Sequence, residues 1–254
     1  MKNTIQDELE LAKSKMIEEV KFDEKTLAKL TCNNVAIVEA MIRNDSAYIH
    51  STDVNAAPTY NRKNEIKYGG SSAYWMTQLK KSLLDGKPDS TYSYKDIIKG
   101  AVESVDRENS THLNADKCGR PEITKRLCEF DRTELIECLK NPDYKDMKLF
   151  QEISRITSAE KGARTNPSFA SKFCHYACFY IFEGTKYQDN YSIYDRILKT
   201  VLPWYLGYFG IEQFNLDNYR DYRMAVDGIR DVSGIEISRN GFDHLLWYYH
   251  KGRL

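Results

Sequence analysis

A basic segment between Arg155 and Phe182 is the first place where residue types and spacing could do chemistry. It holds four basic residues against the single acid Glu160, in a chain whose formal net charge is zero. At its centre, the connection from Ser158 to Pro167 joins two predicted helices, and the second helix presents backbone N–H groups at its N-terminal end. Such an end suits a phosphate group. A solvated turn between two helices is the alternative interpretation. The candidate nucleic-acid-binding residues are Lys161, Gly162, Arg164 and Ser168.

Aromatic side chains are concentrated just after this connection. The chain has 18 Tyr, 10 Phe and 3 Trp, and 13 of these aromatic residues lie in the 41 residues from Phe169 to Phe209. This density is typical of a hydrophobic core, because aromatic rings bury the most area per residue. It is also typical of a pocket for a planar ligand such as a nucleobase. The candidates for that pocket are Phe169, Phe173, Tyr194 and Trp204, with residues of the loop Asn44 to Gly70.

A carboxylate follows in an aromatic and aliphatic setting, where Asp195 stands in the segment YSIYDRIL. The preceding turn and helix read NPSFASKFCHYACFYIF, and the chain ends with GFDHLLWYYHKG. Together these segments resemble the helix-hairpin-helix superfamily of DNA glycosylases, in the branch of 8-oxoguanine glycosylase-like proteins. The match covers roughly residues 157–200, with a weaker one at the C-terminus.

The resemblance implies a compact multi-helix fold and base excision from double-stranded DNA. Enzymes of this family flip a modified or damaged nucleotide out of the helix and cleave its N-glycosidic bond. The family's Asp corresponds to Asp195, which would stabilise an oxocarbenium-like sugar and orient the attacking water. A helix N-terminus favours the ionised form that this role requires, and a plain N-terminal helix cap would have the same sequence. Repair and defence against modified phage DNA imply the same chemistry.

This chain lacks a lysine at the position where the bifunctional members of the family have their catalytic lysine. Their Schiff-base Lys lies near the start of the helix after the turn, where this chain has Thr165, Asn166, Pro167 and Ser168. Lys172, inside the helix, is the remaining candidate, and we expect it to pair with a carboxylate or a phosphate. The expected reaction is therefore hydrolysis without strand cleavage. The turn SAEKGARTNP also has a single glycine where the family has a Gly-rich hairpin, and no cysteine cluster marks an iron–sulfur centre.

Two other function classes compete with the glycosylase hypothesis. Asp53 followed by Glu65 and Lys67 is compatible with a metal-dependent nuclease, although an isolated E-x-K is more simply surface charge. A non-enzymatic helical module that binds a protein partner also fits the aromatic, neutral sequence. Cys174, His175 and Cys178 on one helix supply too few ligands for a zinc site, so we expect no metal and no cofactor.

Charge and targeting features narrow the class of protein. Lys plus Arg and Asp plus Glu are 37 each, which argues against holding nucleic acid by bulk electrostatics and leaves room for a local basic site. The N-terminus MKNTIQDELELAKSKM has no signal-peptide pattern, and no stretch is long and apolar enough for a membrane span. We therefore expect a cytoplasmic protein that does not enter membranes.

Helical periodicity runs through nearly the whole chain and predicts an all-α fold. The pattern predicts a first helix over Ile5 to Val20 and a structureless loop over Asn44 to Gly70. It predicts one helix over Ser168 to Phe182 and another over Tyr191 to Thr200. The 254 residues fit one unit, which could form two lobes of about 1–130 and 131–254.

Overall fold

Helices make up most of the chain, and the predicted all-α class is confirmed at that level. The structure is a computed structural model that describes residues 16–60, 66–86, 91–109, 111–113, 119–155 and 165–252. The helices are α1 (Cys32–Ile42), α2 (Ser46–Thr52), α3 (Ser72–Lys80), α4 (Tyr94–Asn109), α5 (Arg120–Glu129), α6 (Arg132–Lys140), α7 (Lys148–Ser154), α8 (Pro167–Ile181), α9 (Arg196–Tyr208), α10 (Tyr219–Ser233) and α11 (Arg239–His250). A π-helical turn, Lys81–Asp85, continues α3.

Two short antiparallel hairpins accompany the helices. Strands β1 (Glu19–Phe22) and β2 (Lys25–Ala28) pair with Glu19 opposite Ala28. Strands β3 (Thr59–Tyr60) and β4 (Ile66–Tyr68) pair with Thr59 opposite Tyr68. The predicted first helix is therefore wrong at its end, where Glu19 and Val20 are in β1, and residues 1–15 lie outside the described residues. The predicted loop Asn44 to Gly70 is also wrong in part, because it contains α2, β3 and β4.

Side-chain caps explain where several helices begin. Thr31, Ser71 and Asp131 each accept a hydrogen bond from the backbone N–H three residues later, which satisfies a donor that the helix itself leaves unpaired. Thr31 is the N-cap of α1, and Asp131 is the N-cap of α6.

The chain divides into two compact units, and the division differs from lobes of about 1–130 and 131–254. Unit 1 comprises residues Met1–Tyr48 and Ser192–Leu254, and unit 2 comprises Ile49–Tyr191. In unit 1, α11 packs against α1, α9 and α10. Unit 1 is thus built from both ends of the chain.

In unit 2, α8 is the central helix and packs against α3, α4, α6 and α7. Its sequence is apolar nearly all round, as expected for a helix covered on every side. Phe169, Phe173 and Cys174 are at most 1% exposed. Among the described residues, no helix is long and apolar enough to cross a membrane.

Candidate functional site

Asp195 forms the N-cap of α9. Its backbone is extended, and its Oδ1 accepts a hydrogen bond of 2.7 Å from the backbone N–H of Ile197. The side chain is half-buried. The helix predicted from Tyr191 therefore begins only at Arg196, and the capping interpretation of Asp195 describes what its Oδ1 does in this structure.

Two tyrosines of α10 hold the extended segment that precedes Asp195. The hydroxyl of Tyr219 donates to the carbonyl of Ser192 at 2.6 Å, and the hydroxyl of Tyr222 donates to the carbonyl of Ile193 at 2.7 Å. Burial, followed by the nearby carboxylate of Asp243, raises the pKa of Tyr222 well above its usual value. The Tyr222 hydroxyl therefore keeps its proton and remains a donor. These bonds fix the backbone that delivers Asp195 to the start of α9.

Aromatic rings lie beside this segment. Tyr194 contacts Tyr222, with ring centroids 4.9 Å apart, and the Lys199 ammonium lies 5.7 Å from the Tyr194 centroid. Lys199 also pairs with Asp217, and this hydrogen bond is the main reason that the pKa of Lys199 is raised. Asp195 thus occupies a helix N-terminus whose surroundings combine aromatic rings with a cation.

The predicted base-pocket residues are divided between the two units. Phe169 and Phe173 are core residues of unit 2, with ring centroids 6.1 Å apart. Tyr194 and Trp204 are half-buried residues of unit 1, where Trp204 packs edge-on against His250 at 5.8 Å. Phe169 and Phe173 therefore lie beside each other in unit 2, whereas Tyr194 and Trp204 each contact other aromatic rings of unit 1.

The predicted phosphate-binding turn is largely outside the described residues. Lys161, Gly162 and Arg164 fall in the range 156–164, which the structure does not describe. Ser168 is the second residue of α8, and its carbonyl accepts a hydrogen bond of 2.9 Å from the Ser171 hydroxyl. The phosphate-binding role of this turn stays a prediction.

Lys172 projects from α8 toward the last residue of α4. Its ammonium lies 3.5 Å from the carbonyl oxygen of Asn109. The Tyr176 hydroxyl, one turn later on α8, donates to the side-chain oxygen of Asn109 at 3.1 Å. A cation at a helix C-terminus is favourable, so this contact supports the packing of α8 on α4. It does not test a role for Lys172 in catalysis.

A cavity of about 450 Å³ opens in unit 2 along one face of α4. Asp96, Gly100, Glu103 and Arg107 recur on α4 at spacings of four, three and four residues, which places them on one helical face. The full lining is Tyr60, Gly69, Trp75, Thr91, Tyr92, Asp96, Lys99, Gly100, Glu103 and Arg107. The cavity was not predicted from the sequence, although the polar stripe beside a glycine on α4 is a signal that could have revealed it.

The charged groups of the cavity are balanced in sign. A hydrogen bond from the Ser93 side chain is the main cause that lowers the pKa of Asp96. The Lys99 ammonium lies 3.9 Å from the Glu103 carboxylate. Arg107 donates through Nη2 to the carbonyl of Gly70 at 2.7 Å and to Glu108 at 3.2 Å. The cavity therefore presents both carboxylates and cations next to aromatic rings.

The residues considered for a metal-dependent nuclease do not form a metal site in the part of the chain that is described. Asp53 accepts a hydrogen bond of 2.9 Å from the backbone N–H of Asn55, whereas Glu65 lies outside the described residues. No group of three or more His, Cys, Asp or Glu side chains suited to a metal ion occurs among the residues described. On α8, His175 lies within hydrogen-bond distance of the Tyr191 carbonyl, at 2.9 Å.

No protein-family model, curated protein or solved structure matches the chain. Its function therefore has to be inferred from its own residues and from their geometry.

Proposed function

We propose that the protein is a monofunctional DNA glycosylase, which hydrolyses the N-glycosidic bond of a modified or damaged base in double-stranded DNA. The observation that carries this proposal is the position of Asp195. This residue matches the family's catalytic Asp, and its half-buried carboxylate is held at the N-terminus of α9 by the backbone N–H of Ile197. Donors at a helix N-terminus stabilise negative charge there.

The geometry around Asp195 supports a positioning role for α10. Tyr219 and Tyr222 donate to two successive carbonyls just before Tyr194 and Asp195. Carbonyls that are bonded in this way restrict the backbone on the N-terminal side of Asp195, and the cap bond to Ile197 restricts its side chain. A carboxylate fixed before substrate arrives can stabilise a transition-state charge without the cost of reorganisation.

In the proposed reaction, a water molecule attacks the anomeric carbon of a flipped nucleotide. The N-glycosidic bond breaks, its electron pair leaves with the base, and the base takes up the proton that the water loses. The Asp195 carboxylate stabilises the positive charge on the sugar as the bond breaks and orients the water. No amine attacks the sugar, because no lysine stands at the start of α8.

The variant Asp195→Asn tests this proposal. Asn is as good an N-cap as Asp, so we expect the melting temperature to change little. We expect base release from a panel of modified duplex DNAs to fall by about 10²-fold or more, the scale of losing one key electrostatic contact. Asp131→Asn is the matched control, because Asp131 also caps a helix through its Oδ1, and it should keep wild-type activity.

Two outcomes would overturn the proposal. One is a wild-type protein that releases no base from any duplex in the panel and does not bind DNA at low salt. The other is an Asp195→Asn variant that is as active as the wild type. Borohydride treatment during turnover adds a further check, since a trapped covalent adduct between protein and DNA would contradict hydrolysis without a Schiff base.

A further inference from the structure

The reaction proposed for Asp195 uses no residue that lines the cavity on α4. All of its lining residues belong to unit 2, whereas Asp195 belongs to unit 1. Its volume of about 450 Å³ lies within the range of small-molecule binding sites. A separate ligand can therefore be sought from the chemistry of its walls.

One wall is aromatic and closely packed. Trp75 is 4% exposed, and its indole lies so near Gly100 that a Cβ there would be 2.2 Å from the ring. Tyr92 meets Trp75 edge-on, with centroids 5.0 Å apart, and its hydroxyl is 3.2 Å from that of Tyr60. Aromatic rings held in this way offer a preformed surface on which a flat ring can stack, which is the usual means of binding a base without sequence preference.

A second wall is the polar face of α4. Glu103 and Asp96 supply carboxylate oxygens, which accept hydrogen bonds from amino groups. Arg107 lies at the far end of this face, about 16 Å from Asp96 along the helix at 1.5 Å per residue. A ligand that contacts both ends of the face would need hydrogen-bond donors on one part and negative charge on another.

Arg107 keeps donors for such a ligand. Both of its hydrogen bonds in the described structure use Nη2, and a guanidinium carries five N–H donors. A Cβ at Gly69 would lie 2.5 Å from Nη1 of Arg107. The two glycines that line the cavity, Gly69 and Gly100, thus leave the space that the guanidinium and the indole occupy.

We propose that this cavity binds a nucleotide. The base stacks on the aromatic wall beside Tyr92, its amino group donates to Glu103, and its phosphate pairs with Arg107. The same chemistry describes a free nucleoside monophosphate and one nucleotide of a DNA strand. The inference goes beyond the proposed glycosylase activity and does not depend on it.

Direct binding at low salt tests the inference, with deoxyadenosine monophosphate and a short single-stranded oligo-deoxyadenylate as two probes. We expect saturable binding of at least one of them by calorimetry, and no comparable binding of inorganic phosphate. A signal with the mononucleotide identifies a free nucleotide as the ligand. A signal with the oligonucleotide alone identifies a nucleotide within a strand.

Two variants connect the binding to the cavity. Tyr92→Leu should weaken binding about fivefold or more, the lower end of the contribution of one base stacked on an aromatic ring. Glu103→Gln should also weaken it. Glu122→Gln is the matched control, because the Glu122 and Glu103 side chains are both 34% exposed. Each also pairs with a basic residue one helical turn away, Glu122 with Arg126 and Glu103 with Lys99. Tyr144→Leu, at a half-buried tyrosine outside the cavity, is the control for Tyr92.

The inference is overturned if neither probe binds at millimolar concentration, or if inorganic phosphate binds equally well. It is also overturned if Glu103→Gln, a partly exposed position where folding is not at risk, binds as tightly as the wild type. Asp195→Asn should bind the probe normally. A protein that binds the nucleotide but releases no base would contradict only the glycosylase proposal. A protein that releases base but binds no nucleotide would contradict only this inference.

Discussion

Single carboxylates serve different purposes in this molecule, as Asp195 and Asp106 show. Asp106 is 2% exposed and is bound by the Arg120 guanidinium, the Thr111 hydroxyl and the backbone N–H of Leu113. A buried charge with partners on all sides is a structural group, because it would be costly without them. Asp195 is only half-buried, and its Oδ1 is bound to the backbone at the start of α9. This partial exposure is compatible with contact to a substrate.

His250 is the residue whose titration should be visible in the stability of the protein. Its Nε2 lies 3.1 Å from the Tyr205 hydroxyl, which itself donates to the carbonyl of Ala28 at 3.1 Å. Burial lowers the pKa of His250 to about 4. The unfolded chain protonates this histidine near its ordinary value of 6.5, so the folded state is fully favoured above about pH 6.5 and loses stability as the pH falls toward 4.

Urea unfolding at pH 7 and at pH 4.5 checks this expectation. The contribution of His250 to the difference should be roughly 1–2 kcal/mol, after a discount for the solvent that reaches a half-buried group. His250→Phe keeps an aromatic ring but cannot titrate, so its difference between the two pH values should be smaller by that amount. His50→Gln, at an exposed histidine, is the control for the loss of an imidazole as such. An unchanged difference in His250→Phe would contradict the burial of this side chain.

At the scale of elements, the packing of α3 on α4 depends on Gly100. A Cβ at this position would lie 2.2 Å from the Trp75 ring. We expect Gly100→Ala to lower the free energy of unfolding by about 1–3 kcal/mol, the usual cost of overpacking. In Gly228→Ala, on α10, the nearest atom to the new Cβ is 3.9 Å away, so this control should be neutral or stabilising by up to about 1 kcal/mol. Chemical denaturation measures both, and equal effects of the two substitutions would contradict the observed packing.

Elements with strong local signals could be predicted from the sequence. The helix α8, Pro167–Ile181, agrees with the helix predicted over Ser168 to Phe182, because helical periodicity is a local property. Strands β1 to β4 could not be predicted. They are two to four residues long, and the alternation in Glu19–Phe22 is too short to be told from a helical pattern. Pairing with a partner strand, which is not a local property, decides their structure.

The candidate sites show the same distinction. Asp195 became a candidate from the sequence because it stands in a segment that resembles a known family, and its cap geometry depends on nearby residues. The polar stripe on α4 is also a local signal, but the aromatic wall of the cavity could not be predicted, because Tyr60, Trp75 and Tyr92 come from separate segments and converge only in the folded unit. Phe169 and Phe173 belong to the core of unit 2, since an apolar helix that is covered on every side buries its rings whether or not a pocket lies near.

At the scale of the whole molecule, charge balance predicts how DNA binding responds to salt. The chain has 37 basic and 37 acidic residues, and the segment that carries the predicted phosphate-binding turn holds four basic residues, Arg155, Lys161, Arg164 and Lys172. With about four phosphate contacts, the slope of log K against log salt concentration should be no steeper than about −4. Titrations of a modified duplex at salt concentrations from about 50 to about 200 mM measure this slope. A slope steeper than about −6 would contradict local binding and indicate a broad electrostatic surface.

Product analysis of the wild-type reaction tests most directly whether the protein hydrolyses an N-glycosidic bond in DNA. Modified duplexes would be incubated with the protein, and both products would be identified by mass spectrometry. The predicted result is free base together with an unbroken strand that carries an abasic site. Intact DNA across the whole panel, or strand breaks without free base, would contradict the claim.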